Sequence, residues 1–292
     1  MIKIYKSLTI LFFIISFNGF SQVDTDGDGI NDDVDNCPLI SNSTSVQNFI
    51  TADLMAYSVK VDSLGYIYVG DRNNNRVVKY NSTGTEYTVV AGGSSGSGAD
   101  QLDGPDGIAL DASGNIYIAD FFNDRIQKWV PGATSGVTVA GGNGAGSGAN
   151  QLNGPSDIVI DASGNIYICD QNNHRIQKWL PDATSGITVA GGNGAGSTAN
   201  KLWEPGGVAV DASGNVYVGD TYNERVQKWA SGATSGITVA GGNGMGSSAN
   251  KLNSPNGVVL DDKDNIYIAD WGNGRVQKWA PGATSGTTIA QN

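Results

Sequence analysis

Charge is scarce in this chain. Only 15% of its 292 residues are Asp, Glu, Lys or Arg, against about a quarter in an average soluble protein. The few charges lean one way, with 17 Lys+Arg facing 28 Asp+Glu for a net −11. No basic patch can be assembled from such a balance, so a nucleic-acid partner is excluded. A single histidine, His174, rules out a zinc site built from several imidazoles. The two cysteines, Cys37 and Cys169, lie in different segments and are too few for a disulfide scaffold. The reading is that they stay unpaired, a Cys37 to Cys169 bridge being the alternative. Long apolar runs are missing beyond the first twenty residues, and none there reaches the ~20 residues a membrane span needs. Neither a G-x-S-x-G elbow nor a Cys/His pair for nucleophilic chemistry is present.

What the chain has in excess is glycine, 42 residues, beside 39% hydrophobic residues. The glycines follow no one-in-three period, which excludes collagen, and the apolar share is too high for a wholly disordered chain. The start reads MIKIYKSLTILFFIISFNGF, with Lys3 and Lys6 ahead of an apolar stretch and small residues Gly19 and Ser21 before Gln22. That pattern predicts a secretory signal peptide over residues 1–21. Its removal takes away two lysines and no acid, moving the net charge from −11 to −13. The expected location is secreted, extracellular or cell-surface, with the periplasm as the other exported compartment.

Directly after the cleavage point comes DTDGDGINDDVDNCP. Asp24, Asp26, Asp28, Asp32 and Asp35 occupy loop positions 1, 3, 5, 9 and 12. Calcium takes six to eight oxygens, and this alternation wraps carboxylates around one ion. Gly29 supplies the sharp bend, and Ile30 offers its backbone carbonyl at position 7. Calcium is therefore the expected cofactor, held by Asp24, Asp26, Asp28, Ile30, Asp32 and Asp35. The run D-x-D-x-D-G-x-x-D-x-x-D-x-C-P resembles a thrombospondin type 3 repeat, covering residues 22–38. The resemblance implies tandem copies with the cysteine disulfide-linked to a neighbouring repeat, whereas here there is one copy. Residues 39–53 read as a Ser/Asn/Thr-rich linker.

From residue 54 to 292 the chain repeats. DSLGYIYVGD at Asp62, DASGNIYIAD at Asp111, DASGNIYICD at Asp161, DASGNVYVGD at Asp211 and DDKDNIYIAD at Asp261 mark five copies about 50 residues apart. A period of this size signals a solenoid or a propeller. In one copy, the apolar runs Gly107 to Leu110, Ile116 to Ala119, Ile126 to Trp129 and Val137 to Ala140 are each bounded by turn residues, which predicts four antiparallel strands. Their residues are apolar at successive positions, so both faces of each four-stranded blade must be covered.

The stretch GPxGIALDASGNIYIADxxNxRIQKW is similar to the NHL repeat. That resemblance implies an all-β fold, a β-propeller, most often of six blades in the family; the five copies counted here give five four-stranded blades. A closed five-bladed ring is expected, with an incomplete ring or a six-bladed ring as alternatives. The recurring pairs Asp71/Arg76, Asp120/Arg125, Asp170/Arg175, Asp220/Arg225 and Asp270/Arg275 read as structural clamps across the turn between strands two and three. Trp129, Trp179, Trp229 and Trp279, with Tyr80 in the first copy, read as blade packing.

Residues that differ between copies point to a ligand. Between Asp and Asn of each clamp stand Arg72-Asn73, Phe121-Phe122, Gln171-Asn172, Thr221-Tyr222 and Trp271-Gly272. In a propeller these turns share one face with the loops joining blades, around the channel mouth. Phe121, Phe122, Gln171, Asn172, Trp203, Tyr222 and Trp271 are the candidate ligand-binding residues, an aromatic platform for a sugar ring or a peptide. Related propellers include calcium-dependent hydrolases and a zinc-dependent lyase, and the resemblance leaves a calcium set of Asp106, Asp157, Glu204 and Asn256 as a second site. The expected function is a secreted, calcium-binding extracellular binding or adhesion module for a protein, peptide or glycan. A calcium-dependent hydrolase or lyase and a structural spacer of a surface protein are the alternatives, and no catalytic residue is assigned.

Overall fold

The computed structural model describes residues 54–291. The expected signal peptide, calcium loop and linker lie outside the described residues. Five four-stranded antiparallel sheets follow one another. The first blade comprises Ala56–Val61, Ile67–Asp71, Arg76–Tyr80 and Tyr87–Gly92. The second comprises Pro105–Leu110, Ile116–Asp120, Arg125–Trp129 and Val137–Gly141. The third to fifth repeat this plan, with inner strands Pro155–Ile160, Pro205–Val210 and Pro255–Leu260 and outer strands Ile187–Gly191, Ile237–Gly241 and Thr287–Gln291. Each strand extends one or two residues beyond the apolar run that marks it in the sequence. The chain is thus a five-bladed, all-β propeller.

The repeated polar residues build the turns. At the hairpin between strands one and two of the second blade, Asp111 Oδ1 accepts from the Ser113 and Asn115 N–H groups, both at 2.9 Å, and Oδ2 accepts from Asn115 Nδ2 at 2.7 Å. This is an Asx turn, repeated at Asp161, Asp211 and Asp261. Gly114 sits at φ 77°, and Asp264, which replaces it in the last blade, at 59°. Between strands two and three a single 3₁₀ turn, such as Phe121–Asn123, ends on a left-handed residue. At the start of a blade-joining loop, Gly141 has φ 68°, and a Cβ there would lie 2.4 Å from the Asp124 carbonyl oxygen. Much of the glycine excess is in these joining loops.

The core lies between blades rather than within them. Leu152, Ile158, Ile168 and Trp179 of the third-blade side pack on Tyr117, Ala119, Ile126 and Ala140 of the second. Equivalent clusters fill the joints between blades one and two, three and four, and four and five. The fifth joint is not packed like the others. Ala91, Ala140, Ala190 and Ala240 are at most 2% exposed, but their counterpart Ala290 is exposed. Val276 is partly exposed where Val77, Ile126, Ile176 and Val226 are fully buried. The first-blade side has its own cluster of Leu54, Val59, Val69, Val78 and Tyr80. There Val78 and Tyr80 replace the Gln and Trp that Gln127/Trp129 and their equivalents supply elsewhere, so this face lacks the chemistry of the other joints. Five blades are as expected; the fifth joint is looser than a uniformly closed ring requires.

Candidate functional site

The clamps are structural. In each blade the Arg Nε donates to the Asp carboxylate at 2.6 to 2.8 Å, and every clamp Asp is fully buried. Asn123 donates to Asp120 at 2.9 Å, and Arg125 also donates to the carbonyls of Ser97, Gly98 and Gln101 in the preceding joining loop. Burial raises the carboxyls of Asp120, Asp170 and Asp220 above the usual carboxylate range, although the bonds from backbone N–H, Asn and Arg pull the other way. Each clamp fixes a turn and the loop beside it. The positions between Asp and Asn are left free to vary, and they face the mouth.

A channel of about 670 Å³ opens at that face. The inner strands of all five blades contribute to it, and so do Phe121, Gln171, Tyr222 and Trp271 from the variable turns. The remaining candidate residues sit around these. Phe122 stands edge-on to Phe121 with ring centroids 5.0 Å apart. Trp203 stacks on Tyr222 at 5.7 Å and an interplanar angle of 27°. Asn172 donates to Asn153 Oδ1 at 3.0 Å. Phe122, Trp203, Tyr222 and Trp271 keep 43 to 59% of their surface exposed. Large aromatics held this far out of the core form a candidate interaction surface.

The channel also carries charge. Arg72 pairs with Asp106 and lies among aromatic rings, its guanidinium carbon 4.7 Å from the Tyr57 and Phe121 centroids and 5.2 Å from that of Phe122. Burial pushes the Asp106 carboxyl up to about 7, against the pull of Arg72. Asp157 Oδ2 accepts from the Val208 N–H at 3.0 Å, joining the third and fourth blades. Burial raises its carboxyl too, with Lys60 countering, and burial lowers the Lys60 ammonium. Arg72 appears in the sequence only as one of the variable turn positions, not as a candidate ligand residue, and Lys60 is not singled out at all. Lys60 is visible there only as a lysine in an inner-strand slot that other copies give to Ala or Val.

Asp106, Asp157, Glu204 and Asn256 all line the channel, but their groups are partly committed. Asp106 is taken by Arg72 and Asp157 by backbone N–H. Among the described residues no group of three or more His, Cys, Asp or Glu converges to hold a metal. His174 Nδ1 accepts from the Glu204 N–H at 3.2 Å in a joining loop. Cys169 is a buried free thiol that burial holds well above its ordinary pKa. No helix among the described residues is long and apolar enough to cross a membrane.

Comparison with known families agrees with this geometry. The NHL repeat family matches residues 152–179, 202–229 and 252–279, strands of the third, fourth and fifth blades with their clamps. Three blades are NHL repeats. The thrombospondin type 3 repeat family matches residues 22–45, and repeats of this type bind calcium. No curated protein sequence matches the chain. Among solved structures, the propeller superposes on a chain of a nidogen/laminin complex with a TM-score of 0.63 at 23% identity, covering 81% of this chain and 80% of that one. It also resembles a streptogramin B lyase, TM-score 0.53 at 14% identity, covering 83% and 70%. A virginiamycin B lyase from Staphylococcus aureus with quinupristin gives 0.55 at 10%, covering 82% and 70%. At these identities the likeness is one of fold.

Proposed function

We propose that this chain is an exported, calcium-binding propeller module that captures an extracellular protein, peptide or glycan at its channel mouth. The observation that carries the reading is the ring of half-exposed aromatics, Phe122, Trp203, Tyr222 and Trp271, around a channel of about 670 Å³. Aromatic surface at a cavity rim offers large contact area at little conformational cost, the usual anchor of a recognition site. The nidogen/laminin likeness supports a partner outside the cell. The sequence places a signal peptide over residues 1–21 and a thrombospondin type 3 repeat after it, which supports export and calcium.

Calcium would be held by the carboxylates of Asp24, Asp26, Asp28, Asp32 and Asp35 with the Ile30 carbonyl, a hard-oxygen set suited to that ion. Calorimetry on the mature chain tests this part: calcium binding that vanishes in an Asp24→Ala/Asp28→Ala variant supports it, and unchanged heat overturns it. For the mouth, immobilised protein is screened against extracellular-matrix proteins, peptides and glycans. A ligand retained by the wild type and lost by Tyr222→Ala/Trp271→Ala supports the reading.

A further inference from the structure

Among the described residues, one cation lining the channel makes no hydrogen bond and no close ion pair. Lys60 lies opposite Tyr68 in the first blade. The same register position, opposite the repeat tyrosine, is Ala109, Val159, Ala209 and Val259 in the other blades. Four blades spend this position on small apolar packing, and the first spends it on an ammonium that lines the channel. Among the described residues, Lys60 makes no hydrogen bond and has no carboxylate within ion-pair distance. Arg72 is occupied by Asp106. Asp157 attracts Lys60 through space, but its Oδ2 is turned to the Val208 N–H. Lys60 is half-buried in the channel wall, and an ammonium so placed without a hydrogen-bonding partner is stabilised by a ligand oxygen anion.

The rest of the lining narrows the class of ligand. Gln171, Thr221 and Asn256 supply neutral hydrogen-bonding groups, and Trp271 and the Trp203–Tyr222 stack supply flat exposed faces. Beside the Glu204 carboxylate, which lines the same cavity, flat apolar faces, neutral amides and hydroxyls, and one ammonium without a hydrogen bond are the complement of a hydroxyl-rich ring carrying a single carboxylate. The same cavity is lined by Tyr267, Ala269 and Val276 at the loose fifth joint, so it extends sideways from Lys60 toward that joint.

We propose that the channel takes an acidic sugar, a uronic-type residue whose carboxylate pairs with Lys60 Nζ while its neighbours stack on Trp271 and the Trp203–Tyr222 pair. This rests on the mouth being the ligand surface. Calorimetry with trigalacturonic acid and its carboxyl-reduced counterpart tests it. Wild type is expected to bind the acid at least tenfold more tightly. Lys60→Met is expected to lose that preference while melting as wild type does, Lys60→Arg to keep it, and Trp271→Ala to weaken both sugars. Equal binding of the two sugars by wild type, no binding of the acid, or a preference that survives Lys60→Met overturns the proposal. If instead a peptide binds and depends on Tyr222 and Trp271, the acidic-sugar assignment falls and the mouth reading stands. If neither aromatic matters to any ligand bound, the mouth reading itself falls.

Discussion

Asp124 Oδ1 accepts from the Gly154 N–H at 2.9 Å, tying the turn of the second blade to the loop that enters the third. The same latch recurs with different chemistry at each packed joint. Asn75 Oδ1 accepts from Gly104 at 2.9 Å, His174 Nδ1 from Glu204 at 3.2 Å, and Glu224 Oε2 from Ser254 at 2.5 Å. All four residues hold the left-handed conformation that ends the 3₁₀ turn. The fifth such residue is Gly274, which has no side chain to offer, and it stands at the loose joint. Asp124→Gly keeps the backbone comfortable and removes only the acceptor, so a loss of about 1 to 2 kcal/mol is expected in denaturant unfolding. Gly274→Asn is expected to change stability by no more than about 0.5 kcal/mol.

The clamps make a larger claim. Asp170 is fully buried and accepts from Arg175 at 2.6 Å, from Asn173 at 2.8 and 2.9 Å and from the Asn153 N–H at 2.7 Å. Asp170→Ala leaves a buried guanidinium without its counter-charge and is expected to cost about 3 to 5 kcal/mol. Loss of the partly exposed Lys278–Asp261 pair, 3.9 Å apart, through Lys278→Met is expected to cost about 1 kcal/mol or less. Equal effects in urea unfolding would contradict the assignment of the clamps as the main turn-fixing contacts.

Asp106 gives a pH dependence with a definite sign. Its folded pKa, about 7, lies above the ordinary 3.8, so the folded state holds a proton that the unfolded chain releases. The stability this contributes is full below about pH 4 and is lost as pH rises through about 7. Thermal melts of wild type and Asp106→Asn are expected to differ most in their pH trend between those limits. Parallel trends across that window would contradict the assignment.

Blade count, strand number, clamps and interblade tryptophans were legible in the sequence because they repeat, and repetition turns local turn chemistry into architecture. The loose fifth joint was also written there, in Val78, Tyr80 and Gly274, but as departures from a pattern whose spatial partners only the fold supplies. The charge pairing in the channel was harder to see. Asp106 and Asp157 could be named from their inner-strand slots, but their partners Arg72 and Lys60 come from another blade, and no spacing along the chain announces which cation meets which carboxylate. The aromatics could be named in advance as positions that vary among near-identical turns. Their self-association into Phe121–Phe122 and Trp203–Tyr222 pairs could not.

The central claim is that the channel mouth is the ligand surface, and comparison of the two faces of the propeller tests it most directly. Surface plasmon resonance with a captured ligand would compare wild type, a mouth variant carrying Phe122→Ala, Tyr222→Ala and Trp271→Ala, and an opposite-face variant carrying Leu64→Ala and Leu180→Ala. All five positions are well exposed, so the folds should melt alike. The account predicts at least a tenfold loss of affinity in the mouth variant and none in the other. Unchanged binding by the mouth variant, or loss confined to the opposite face, would contradict it.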